Sequence, residues 1–191
     1  MFRRRVIAQQ VVLFFVAMSL LGCWTTAKHV RKPKPVPSTT ALGTGTQGNI
    51  LNKARLKAGG KVLIVPFSAG ERVAETDETE KIAFRLLRGM SEALKDQKVL
   101  VLVPGDEAAS ADFVIRGRIV RLKEKDEFVK FFSRKKVRYL AVEGEMTSRD
   151  NDEPMAYFSH SAKNQSANEN FGEVAEKLGR DIGRFILDAT K

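Results

Sequence analysis

The sequence predicts an α/β fold with α+β character: a mixed sheet of about five strands with helices packed on it. Three observations predict it. Residues 61–67 are a nearly continuous apolar run interrupted by a proline, residues 82–94 place apolar side chains at helical spacing, and the stretches 113–123 and 137–147 alternate. Continuous runs belong to buried parallel strands and alternation to antiparallel strands with one wet face, so one sheet holds both kinds. The expected order is strand, helix, strand, short helix, three strands, helix, within a single globular domain spanning 58–191.

The first strand is Lys61-Val62-Leu63-Ile64-Val65-Pro66-Phe67, read as buried on both faces. Residues 68–76 form a loop. Asp77 followed by Glu80 has capping-box spacing, which makes Asp77 the expected N-cap. Ile82, Ala83, Leu86, Leu87, Met90, Ala93 and Leu94 then form one helical stripe. Residues 99–103 are a second apolar strand, stopped by Pro104-Gly105. Strand, helix and strand together predict a right-handed unit with its two strands parallel. The loops after these strands, at Ser68-Ala69-Gly70 and Pro104-Gly105-Asp106, fall where such folds place ligands. Turn chemistry accounts for both.

The next two strands fix each other's register. Arg116 and Arg118 face outward on one, Glu143 and Glu145 on the other. Pairing Arg116 with Glu145 and Arg118 with Glu143 sets Ile115 against Met146, Ile119 against Val142 and Gly117 against Gly144 on the core face. A slip of two residues keeps one ion pair and loses the glycine match. Facing glycines leave a trough, and the last helix carries Gly179 and Gly183 beside its apolar stripe, so that helix is expected to lie in it. Asp150-Asn151-Asp152 is a turn, and residues 155–162 are the last strand. Phe171, Val174, Ala175, Leu178, Ile182, Phe185, Ile186 and Ala189 form the stripe of the closing helix. Glu173 with Lys177 and Glu176 with Arg180 are spaced as ion pairs on its wet side.

This element order, with residues 62–67, 111–119 and the final helix, resembles a group of periplasmic α/β domains. The group comprises the penicillin-binding-protein activator lipoproteins, the curli-secretion lipoprotein and the amino-terminal domain of the Tol-system β-propeller protein. The resemblance spans about 61–191. It implies a domain that binds protein partners or assembles oligomers and performs no chemistry, and it carries over no functional residue.

The amino terminus places the protein. Arg3, Arg4 and Arg5 precede an apolar run, Val11 to Leu21, that ends in Gly22-Cys23. Charge, apolar core and small residue in this order read as a secretory signal covering 1–22. The run is shorter than the roughly 20 residues a spanning helix needs. Cys23 is the single cysteine of the chain. Leu20-Leu21-Gly22-Cys23 resembles the lipobox of bacterial lipoproteins, with Leu21 where Ser, Ala or Thr is commoner. The resemblance implies that Cys23 carries the lipid and becomes the new amino terminus. Trp24 follows it, and in enterobacterial sorting an aspartate there favours the inner membrane. The outer membrane, facing the periplasm, is therefore the expected location. Residues 23–57 read as a tether: Pro33, Pro35 and Pro37 favour extended geometry, and 38–48 is rich in Ser, Thr and Gly.

The net charge of +10 is uneven. All 23 acidic residues lie after residue 57, where 23 basic ones match them. The excess is confined to the signal and the tether, so the domain is not expected to bind nucleic acid. With its one cysteine lipidated the chain holds no disulfide. His29 lies in the tether and His160 in a strand, without the companions a metal site requires. There is no Gly-x-Ser-x-Gly elbow and no phosphate-binding glycine loop. No catalytic residue, cofactor or metal is expected, and the protein is not expected to be an enzyme.

One region stands out. Residues 116–138 hold ten basic side chains against Glu124, Asp126 and Glu127. Phe128, Lys130, Phe131, Phe132, Arg134, Lys135, Lys136 and Arg138 form a candidate contact surface. Aromatics among cations suit a membrane interface, an anionic polymer or a protein partner. The same residues also suit a hairpin whose charges pair across strands and whose aromatics turn back into the core. The expected role is a lipid-anchored periplasmic binding or adaptor domain in envelope assembly. The alternative is a structural subunit of an oligomeric lipoprotein secretion assembly.

Overall fold

The computed structural model describes residues 45–95, 97–129 and 133–191. The signal, Cys23 and the proline-rich part of the tether lie outside the described residues. Seven strands form one mixed sheet. The elements are β1 (Gly45–Ile50), α1 (Lys53–Ala58), β2 (Gly60–Ile64), β3 (Ser68–Ala69), α2 (Asp77–Leu94) and β4 (Leu100–Leu102). A 3₁₀ helix (Gly105–Ser110), β5 (Phe113–Val129), β6 (Ser133–Ser148), β7 (Pro154–Lys163) and α3 (Phe171–Asp188) complete it. The sheet order is β1-β7-β6-β5-β2-β4, with β3 beside β5. β2 runs parallel to β4 and β5, while β5, β6, β7 and β1 are mutually antiparallel. The expected sequence of elements from residue 60 onward is thus present, and β1 and β3 are additional.

The β5–β6 register is the one the charges predict. Arg116 pairs with Glu145, Gly117 with Gly144 and Arg118 with Glu143. Arg116 and Glu145 are 3.2 Å apart, and the Arg118 guanidinium contacts Glu143. On the inner face Ile115, Ile119, Val142 and Met146 are buried. They meet α2 through Ile82, Leu86 and Met90, and α3 through Val174, Leu178, Ile182 and Ile186, in one core.

Five expectations are corrected. The tether does not run to residue 57: Gly45–Ile50 is an edge strand and Lys53–Ala58 a helix that buries Leu56. A side chain at Gly48 would lie 2.5 Å from the Phe185 ring, so glycine marks contact here, not freedom. The parallel strands are not buried on both faces. Among the described residues helices cover one face, and Val65 (38%) and Val101 (49%) stay exposed on the other. The N-cap of α2 is Thr76, whose hydroxyl accepts from the Thr79 amide, one residue before Asp77. In α3, Glu173 completes a capping box with Asn170, and Lys177 pairs instead with Glu169 at 2.6 Å. Glu176 and Arg180 do pair, at 3.1 Å.

The fifth correction concerns the glycine trough. It forms on the core face, but aromatic rings fill it. A Cβ at Gly117 would lie 2.6 Å from the Phe67 ring, and one at Gly144 2.5 Å from Phe158. Those two rings stack with centroids 6.2 Å apart. Gly179 and Gly183 serve the other helix instead. A Cβ at Gly179 would strike the Leu86 carbonyl, one at Gly183 would lie 2.6 Å from Ala93 Cβ, and one at Gly89 would strike the Glu176 carbonyl. A flat aromatic ring fits a shallow trough, whereas a helix backbone needs a matching groove on its neighbour. The glycines therefore pair helix with helix and sheet with ring.

Candidate functional site

The basic-aromatic stretch occupies an arm. β5 and β6 stay paired from Leu122 with Leu140 out to Val129 with Ser133. Their neighbours stop sooner: β7 leaves β6 at the pair Tyr139–Lys163, and β3 leaves β5 at Ala69–Ile119. Residues 124–129 and 133–138 therefore project beyond the sheet as a two-stranded ribbon. At about 3.4 Å per residue each strand reaches roughly 20 Å. Such a ribbon is marginal by itself, so its root must be fastened.

Asn164 does much of the fastening. Its side-chain oxygen accepts from the Arg138 amide at 2.9 Å, and its amide nitrogen donates to the Lys136 carbonyl at 2.9 Å and the Ser166 carbonyl at 2.7 Å. The Arg138 guanidinium donates to the Glu169 carbonyl at 2.8 Å and lies 6.0 Å from the centre of the Phe171 ring. Across the ribbon, Glu124 meets Arg138 at 2.7 Å and Lys136 at 2.8 Å. The hydrogen bond from Lys136, with the charges of Arg138 and Lys136, holds the Glu124 carboxyl below its usual value. The same hydrogen bond and the Glu124 charge push Lys136 up. Tyr139 donates to Glu127 at 2.8 Å, a bond that raises the pKa of the phenol.

The candidate contact residues are thus distributed along this arm. Lys136 and Arg138 are committed to Glu124, and Lys135 donates to the Gln165 carbonyl at 3.3 Å. Phe128 and Arg134 face each other in the backbone register near its end. Their side chains, and all of Lys130, Phe131 and Phe132, lie outside the described residues. Arg121, Lys123 and Lys125 recur at alternate positions and are exposed, with no ion pair among the described residues. The arm therefore carries both cross-strand pairs and uncommitted cations.

A cleft of about 770 Å³ lies between the end of β7, the loop 164–169 and α3. Ala162, Val174 and Leu178 make its apolar floor, and five cations rim it: Lys135, Lys163, Lys177, Arg180 and Arg184. Two carboxylates, Glu169 and Asp181, oppose them. Arg180 is turned toward the helix pair, 2.9 Å from Glu92 and 3.1 Å from Glu176. Arg184 lies 3.8 Å from Asp181 and is largely exposed. Lys163 is exposed and makes no ion pair among the described residues. His160 is buried at the edge of the cleft. Its Nδ1 is 2.8 Å from the Thr46 hydroxyl, and its Nε2 is 3.6 Å from Asp181. This supports the structural role expected of it, since Thr46 joins β1 to β7. Sequence reasoning missed the cleft because Lys135, Lys163 and Arg184 stand far apart in the chain.

Glu169 anchors the loop beneath the cleft. Burial pushes its carboxyl up, but hydrogen bonds from Lys177 and from the backbone of Gln165 and Ser166 outweigh this, and the net direction is down. A folded-state value below the usual carboxylate range stabilises the protein above about pH 4.3 and ceases to do so as pH falls through the folded value. Glu169→Gln is expected to cost about 2 kcal/mol at pH 7. Urea melts at pH 7 and pH 3 check this, because the difference between variant and parent should shrink in acid.

After β2, Ser68 and Ala69 pair with β5, and after β4, Pro104 opens the 3₁₀ helix. Among the described residues no group of three or more His, Cys, Asp or Glu side chains could hold a metal ion. None of their helices is long and apolar enough to cross a membrane.

This fold is a mixed α/β domain with a seven-stranded sheet and helices packed on it, and it is similar to several solved structures. The PelC dodecamer from Paraburkholderia phytofirmans is 13% identical, with a TM-score of 0.48, covering 76% of this chain and 95% of that one. Lipoprotein GNA1162 from Neisseria meningitidis is 10% identical, with a TM-score of 0.45, covering 65% of this chain and 96% of that one. A minor lipoprotein from Acinetobacter baumannii is 11% identical, with a TM-score of 0.30, covering 67% of this chain and 89% of that one. No protein-family model and no curated protein sequence matches the chain.

Proposed function

We propose that this protein is a lipid-anchored periplasmic adaptor of the bacterial envelope, non-catalytic, which binds a partner protein through the β5–β6 arm. The observation that carries the reading is the arm itself. A ribbon that leaves its sheet, is fastened mainly near its root among the described residues and holds uncommitted cations is built to be covered by something else. The signal-like stretch 1–22 and the Gly22-Cys23 junction support the membrane anchor, and the Trp24 position favours the outer membrane. Cys23→Ser is expected to leave an unprocessed precursor or a protein released from the lipid phase. Detergent partitioning with intact mass checks it.

Charge reversal at Arg134 and Lys135 tests the arm. Lys136 is left alone because it neutralises Glu124. Partner capture from envelope extracts should fall and become less sensitive to salt, since exposed charges are screened within about 8 Å at physiological ionic strength. Stability should change by less than about 1 kcal/mol. Undiminished capture would assign the arm a structural role.

A second reading, a subunit of an oligomeric lipoprotein secretion assembly, draws on β4. This strand pairs only with β2 among the described residues, and it leaves Val101 exposed next to Val99 at an open sheet edge. Open edges accept further strands. Size measurement on the protein in detergent separates the two readings.

A further inference from the structure

We infer that the cleft between β7 and α3 seats the phosphate-bearing headgroups of anionic phospholipids, so that the domain lies down on the membrane that anchors it. The inference rests on the lipid anchor proposed above. Three observations converge on it. The first is where the chain enters the fold. Gly45 pairs with Ser161, and Ser161 lines the cleft, so everything amino-terminal to β1 arrives at this spot. From Cys23 the chain has 22 residues in which to reach Gly45, a reach of at most roughly 75 Å. The cleft is thus the part of the domain's surface at which the anchoring chain enters the fold.

The second observation is charge. Five cations against two carboxylates line the cleft, in a domain whose charges otherwise balance. Lys177 and Arg180 are already committed to carboxylates. Lys163 is exposed and without an ion pair among the described residues, Arg184 is only loosely opposed by Asp181, and Lys135 meets only a carbonyl. These three are placed to meet phosphates. The third observation is the floor. Ala162, Val174 and Leu178 offer an apolar surface beneath the cations, matching the boundary between headgroup and acyl chain. A protein partner would meet the open sheet face or the arm equally well. Only a membrane is brought to this cleft by the chain's own connection.

The test uses the mature lipidated protein in vesicles of neutral phosphatidylcholine, with or without one third phosphatidylglycerol. Hydrogen exchange is followed at residues 161–165 and 177–184. Phosphatidylglycerol should slow exchange there, and 0.5 M salt should abolish the effect. Lys163→Glu with Arg184→Glu should weaken docking at least about tenfold, at about fivefold for each cation near an anionic surface. Both side chains are exposed, and unchanged urea melts confirm that the double variant is folded. Equal exchange in the two kinds of vesicle overturns the inference. So does protection by inorganic phosphate alone, which would mark a free-anion site, or by a soluble anionic glycan but not by phosphatidylglycerol. A protein that associates with neither vesicle refutes the lipid anchor instead, so the two failures are distinct.

Discussion

Gly179→Ala is expected to lower the stability of the domain by about 3 kcal/mol, against the direction of helix propensity. In an exposed helix interior, glycine to alanine gains about 1 kcal/mol. Here the added methyl would strike the Leu86 carbonyl and come within 3.0 Å of the Met90 amide, both backbone atoms of α2. Backbone cannot rotate aside as a side chain can, so the helices must separate. The core between them includes Leu86, Met90, Leu178 and Ile182, all fully buried, and separation loosens every one of those contacts. Gly89→Ala, on the facing helix, should behave the same way, because its methyl would strike the Glu176 carbonyl. Gly105→Ala is the control: a Cβ there would meet no atom within 4 Å, and its effect should stay within about 0.5 kcal/mol. Chemical denaturation of the three variants checks the ordering. A stabilised Gly179→Ala would mean that the two helices do not approach this closely.

Gly144→Val is the second large effect, with an expected loss of about 3 kcal/mol. Its Cβ would lie 2.5 Å from the Phe158 ring and 2.6 Å from the Arg116 carbonyl. Gly117→Val meets the Phe67 ring at 2.6 Å and the Glu143 carbonyl at 2.6 Å. The two glycines face each other, and their rings stack, so the variants should not be additive. The first substitution already displaces the ring pair that the second would disturb. Phe158→Leu in the Gly144→Val background should recover part of the loss by giving the valine room. A double variant whose loss equals the sum of the singles would show that the trough is not shared.

The sequence was most legible where two constraints coincided. The β5–β6 register followed from Arg116, Arg118, Glu143 and Glu145 because opposite charges outside and glycines inside demanded one alignment. The stripe of α3 was plain from its apolar spacing, and of its two expected ion pairs Glu176 with Arg180 forms while Lys177 pairs with Glu169. Legibility failed where a residue does unlike its type. Gly45 to Asn49 reads as linker because it lacks apolar side chains, yet it forms an edge strand that Gly48 allows to rest on Phe185. Val65 and Val101 read as buried, yet among the described residues no helix covers their face. Gly179 signalled a close approach correctly but not what approached, since Gly89 lies on a helix 90 residues away. The arm was visible as composition alone. That it projects depends on where β7 and β3 stop pairing, which no local pattern records. The cations counted there also overstated its charge, because Glu143 and Glu145 neutralise Arg116 and Arg118 from outside the window.

The claim that the arm contacts another protein is tested most directly by a photo-reactive side chain at Lys125, an exposed position midway along it. Irradiation of cells carrying this variant should yield one discrete crosslinked species that contains a second envelope protein and is lost when Arg134 and Lys135 are reversed. A ladder at multiples of the protein's own mass, or no crosslink from the arm while the protein remains anchored, would contradict the account.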